Sequence, residues 1–146
     1  MKPFRLHTVL RYRRTQENWA QERLIRSREE EERLSRELDR EQECLRELCT
    51  EFEDRKRQGM NVGEILVYQN HLRRVRNMIA QRESELQSAR DDVARKKQEL
   101  SRRSRERKLM EKLKEKQDSR YEQYLEDKEK QELDEIAVLF HERGGI

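Results

Sequence analysis

Apolar residues return at intervals of three and four along this chain, and they do so on either side of a single interruption. In the first half Leu10, Glu17, Leu24, Glu31, Leu38, Leu45 and Phe52 share one seven-residue position, five of them apolar. The companion position runs Leu6, Arg13, Ala20, Ser27, Leu34, Glu41, Leu48 and Arg55, and its weakest stretch lies before residue 34. In the second half Ile65, Leu72, Ile79, Leu86, Val93 and Leu100 make an unbroken apolar row beside Tyr68, Val75, Arg82, Ala89 and Lys96. A seven-residue repeat with two such positions is the pattern of a coiled coil. Beyond Leu100 it predicts a slip of frame: Arg103 and Arg107 fall on seam positions while the apolar residues move to Leu109, Met110 and Leu113.

The interruption is Gly59-Met60-Asn61-Val62-Gly63. Glycine is absent from Phe4 to Gln58 and from Glu64 to Arg143, and after Pro3 nothing forces a helix to stop. Asn61 can cap a new helix with Glu64 at its third position, and Met60 with Ile65 can staple the entry. The expected fold is all-α: one long antiparallel two-helix coiled coil, with the second helix longer than the first. Its boundaries are helix 4–58, reversal 59–63, helix 64–140 and a disordered tail 141–146. Facing residue numbers should then sum to a constant, either 120 or 127. The half nearest the reversal should be the better packed. Roughly 20 to 27 residues of the second helix should overhang the first.

Composition sharpens this picture. Of 146 residues, 46% are charged and 32% hydrophobic, too few apolar groups for a layered globule, while a net charge of only +3 argues against disorder by self-repulsion. No stretch approaches the length of a membrane span or a signal-peptide core, so a cytosolic protein is expected. Cys44 and Cys49 stand five apart, a spacing that matches no zinc or redox motif and suits reduced thiols. Residues 1–27 carry seven basic and two acidic side chains and residues 95–116 eleven and four, whereas 28–54 carry five and twelve and 117–143 four and nine. Hairpin pairing would bring the two basic stretches together.

A two-helix hairpin offers no dry concave interior, so catalysis is not expected, nor is any cofactor. His7, His71 and His141 lie far apart in any hairpin, and no glycine-rich phosphate loop is present. Arg102, Arg103, Arg105, Arg107 and Lys108 resemble a phosphate-contacting strip, but Glu99, Glu106, Glu111 and Glu115 interrupt it. A protein partner with acidic loops is therefore expected rather than nucleic acid. Glu41 and Arg82 on seam positions suit interior polar groups that fix register. Tyr121, Tyr124, Leu125, Leu133, Ile136 and Phe140 fall on the overhang, where exposed apolar residues await a partner or a second copy.

Three segments resemble the FliJ family of flagellar export proteins. They are Phe4-Arg-Leu-His-Thr-Val-Leu10 with Ala20-Gln-Glu-Arg, then Tyr68-Gln-Asn-His-Leu72 with Val75 and Ile79. The third is Glu106-Arg-Lys-Leu-Met-Glu-Lys-Leu113, followed by Glu132-Leu-Asp-Glu-Ile-Ala137. The resemblance implies a soluble stalk of the type III export apparatus, similar to the central stalk subunit of rotary ATPases. Its end bearing both termini would enter the hexameric export ATPase (FliI-like) through Phe4, Leu6, Leu10, Arg13, Arg103, Arg107, Leu109, Leu113, Leu133 and Ile136. By the same resemblance His71, Val75, Met78 and Arg82 would contact the export gate, an FlhA-like membrane protein, and export chaperones form a further class of partner. His71 stands where the family usually has an aromatic and Met78 where it has a small residue. Membrane association would then be peripheral, at the cytoplasmic face, and only through the apparatus. A homodimeric coiled-coil scaffold and the injectisome counterpart are the alternatives.

Overall fold

The computed structural model describes residues 3–144, with side chains from Arg5 onward. Two α-helices, α1 (Pro3–Gln58) and α2 (Val62–Gly144), pack against each other antiparallel, and no strand occurs among the described residues. Gly59 turns the chain at φ 99°, a left-handed conformation that glycine adopts without steric cost. Its amide donates to the Lys56 carbonyl at 3.2 Å, closing the end of α1. Asn61 caps α2: the Glu64 amide donates to its Oδ1 at 2.8 Å, and its Nδ2 donates to the Glu64 carboxylate at 3.1 Å. The cap therefore starts α2 at Val62, two residues before the expected 64. At the other end the helix runs on through His141, Glu142, Arg143 and Gly144, where a disordered tail was expected; Gly145 and Ile146 lie outside the described residues. Cys44 and Cys49 are free thiols.

The chain divides into two compact units, Trp19–Leu100 and a second formed by 1–18 with 101–146. In the Trp19–Leu100 unit, Leu34, Leu38, Ile79 and Leu86 are buried together, with Leu45, Val75 and Ala89 packed against them. Phe52 and Tyr68 stack at 5.1 Å between ring centroids near the reversal, so facing numbers sum to 120 rather than 127. Arg82 donates to Glu41 at 3.3 Å, the seam pair whose charges resist any shift of register. Packing does not weaken before residue 34 as expected. Ala20 and Leu24 are buried, and Ser27, also buried, donates to Asp92 at 2.7 Å. A small residue and a satisfied hydroxyl seal that stretch, which counting leucines does not register.

In the other unit the most enclosed side chain is Leu10, 2% exposed. The frame of α2 does not slip here. Arg103, Arg107, Met110, Lys114 and Gln117, in step with Leu86 and Val93, are half-buried, flanked by half-buried Ser104, Glu106, Glu111 and Asp118, while Leu109 and Leu113 stay exposed. Moving the seam onto Leu109 and Leu113 would require an insertion in the repeat. Instead α1 supplies Arg13, Gln16 and Glu17, which match the charges of α2 position for position.

Candidate partner-binding surfaces

The unit of 1–18 and 101–146 holds its helices together with a polar ladder. Arg13 donates to Glu106 at 3.0 Å, and Arg103 donates to Gln16 at 3.2 Å and to Glu106 at 3.3 Å. Arg107 donates to Glu17 and, at 2.9 Å, to Glu111, which Arg14 also approaches at 3.5 Å. The hydrogen bond to Glu17, with that to Glu111, makes the Arg107 guanidinium hold its proton above the ordinary arginine range. Arg107 in turn, with Arg14, holds the Glu111 carboxyl below its ordinary value of 4.5. Half-exposed ion pairs of this kind specify pairing but add little net stability. They also occupy the arginines that the sequence reading assigned to acidic loops of a partner.

Above the ladder, Leu6, Leu113, Gln117, Tyr121 and Tyr124 line an open groove of about 810 Å³, with Lys116 and Arg120 at its rim. Both amide atoms of Gln117 are buried there without a hydrogen-bond partner. Sequence reasoning missed Gln117; the signal was its place in the unslipped frame, seven residues past Met110. From residue 119 onward every described side chain of α2 is exposed, including Leu125, Leu133, Ile136 and Phe140.

The residues expected to face a ring therefore fall in this one unit but have different fates. Leu109, Leu113, Leu133 and Ile136 are open to solvent, and Leu6, Arg13, Arg103 and Arg107 are half-buried. Leu10 is enclosed, so its side chain builds the unit and presents no surface to a partner. The side chain of Phe4 lies outside the described residues.

The second expected set lies in the Trp19–Leu100 unit, along one flank of α2. His71 and Met78 are exposed at its outer edge. Val75 is half-buried against the core cluster, and Arg82 is held by Glu85 at 3.0 Å as well as by Glu41. Of the four, only His71 and Met78 offer a free face. No group of three or more His, Cys, Asp or Glu among the described residues is arranged to hold a metal ion, and no described helix is long and apolar enough to cross a membrane.

A helical hairpin with these features matches the family model described as flagellar FliJ protein, over residues 1–145. The chain belongs to the FliJ family. No curated protein and no solved structure matches it. Membership of the FliJ family carries a role in flagellar protein export and an association with the export apparatus.

Proposed function

We propose that this FliJ-family protein acts in the cytoplasm as the stalk of the flagellar type III export apparatus. It enters the export ATPase ring with the end that carries both termini and engages the FlhA-like gate through the flank of α2 at His71, Val75, Met78 and Arg82. Export chaperones dock on the same protein. The observation that supports this most is the apolar side chains of α2 left uncovered in this unit: Leu109 and Leu113 on its open face, and Leu133 and Ile136 in the stretch from residue 119 onward where every described side chain is exposed. Work on substrates falls to the ATPase and the gate; the stalk organises the ring and links the two by binding alone.

The test is the hydrolysis rate and hexamer population of the cognate export ATPase, titrated with this protein and with a form ending at Gln117. Stimulation by the full chain that is lost in the shortened form is expected. Absence of binding and of any rate change with the full chain would overturn the stalk reading. The homodimeric scaffold would then lead, and light scattering would show twice the 18.1 kDa of one chain.

A further inference from the structure

Between Glu64 and Glu83 α2 carries no acidic residue, yet it holds Arg73, Arg74, Arg76 and Arg82. Arg82 and Arg90 spend their charge inside the hairpin, on Glu41 and Glu31. Arg73 and Arg76 form no ion pair among the described residues. At the corresponding level of α1, Glu43 is engaged by Arg46 and Glu51 by Tyr68 and Arg55, and Glu47 forms an ion pair with neither Arg73 nor Arg76.

Arg73 and Arg76, one helical turn apart, border a shallow depression of about 470 Å³ whose floor is buried Leu72 and whose ends are Gln69 and Asn77. Its polar rim offers two guanidinium forks and two side-chain amides, and no carboxylate. That donor set is suited to a phosphate oxyanion. Leu66 stands seven residues before Arg73 on the same flank and is 52% exposed. This is the flank opposite His71, Val75, Met78 and Arg82.

We infer that this flank of α2 binds the phosphate headgroups of an anionic phospholipid surface, with Arg73 and Arg76 on the phosphates and Leu66 at the acyl boundary. Apolar and cationic side chains side by side suit a lipid interface. A nucleic-acid backbone would leave Leu66 in water and would find no aromatic platform beside the arginines. The contact is direct and independent of gate and ATPase.

Co-sedimentation of the full chain with vesicles of phosphatidylcholine alone, or with one quarter phosphatidylglycerol, tests it at 50 and 300 mM salt. Binding to the anionic vesicles only, weakened by the higher salt, is expected. The variant Arg73→Gln/Arg76→Gln should lower the partition coefficient at least tenfold, and Leu66→Ser severalfold. A control, Lys97→Gln/Arg105→Gln, removes the same charge elsewhere and should change it less than twofold. Equal loss in the control would overturn the inference in favour of diffuse attraction. Tighter binding to a 20-base-pair duplex than to vesicles, or displacement from vesicles by 5 mM inorganic phosphate, would overturn it as well. Unchanged circular dichroism in each variant shows that the fold is intact.

Discussion

Leu10 and Leu109 lie in the same unit and were both expected to face a ring, yet they should behave oppositely. Leu10 is 2% exposed and Leu109 is 62% exposed. Truncating Leu10 to Ala removes three buried carbons, about 2.5 kcal/mol at ~0.8 kcal/mol each, and incomplete collapse of the seam raises this to about 3 kcal/mol. Because 1.4 kcal/mol is tenfold in an equilibrium constant, amides in the first turns of α1 should exchange with solvent roughly a hundredfold faster. Leu109→Ala uncovers nothing, and alanine is the better helix former, so exchange should change less than about twofold. Hydrogen exchange followed by mass spectrometry over residues 5–16 measures the first effect. Binding to the export ATPase, with the helix content of each variant checked, measures the second, where Leu109→Ala should weaken the complex. Equal exchange in wild type and Leu10→Ala would refute the packing. A hundredfold acceleration in Leu109→Ala would show that the seam had moved onto the face the structure leaves open.

Three further outcomes follow from the geometry. Gly59→Ala meets no atom within 4 Å, so its cost is backbone strain at φ 99°, about 1 kcal/mol, and the thermal midpoint should fall by a few degrees; an unchanged midpoint would show that the turn relaxes. Replacing Glu41 alone with Leu should lower the midpoint, because Arg82 loses a seam partner. Replacing both Glu41 and Arg82 with Leu should restore or raise it, and a double variant less stable than the single would contradict the pairing. The carboxyls of Glu111, bonded to Arg107, and Asp92, bonded to Ser27, are both held below their ordinary values of 4.5 and 3.8. Their contribution is complete above those values and is lost as pH falls through the lower folded ones. Midpoints should therefore be level from pH 7 to 5 and drop below about 4. Glu111→Gln should flatten part of that drop, and an identical drop in this variant would remove Glu111 from the account.

What the sequence by itself determined is the element plan. Spacing of Leu24, Leu38, Leu72, Ile79 and Leu86 specifies helices and their seam, since a seven-residue repeat of apolar groups can be buried only by a second helix. Gly59 and the Asn61–Glu64 pair mark the reversal because both act through local backbone chemistry. Glu41 and Arg82 were legible as a register pair because a charge on a seam position must be answered. The outcome after Leu100 was not legible locally. Periodicity reports where apolar residues are, and there it pointed to Leu109 and Leu113. Only the facing helix could decide otherwise, by offering Arg13, Gln16 and Glu17 to the polar positions and keeping the original frame. Tertiary pairing likewise enclosed Leu10, Ala20 and Ser27, consumed Arg82 and Arg107 in ion pairs, and left Arg73 and Arg76 without one. Which side chains remain for a partner depends on what the opposite helix has already satisfied, and that is a property of two distant stretches of chain together.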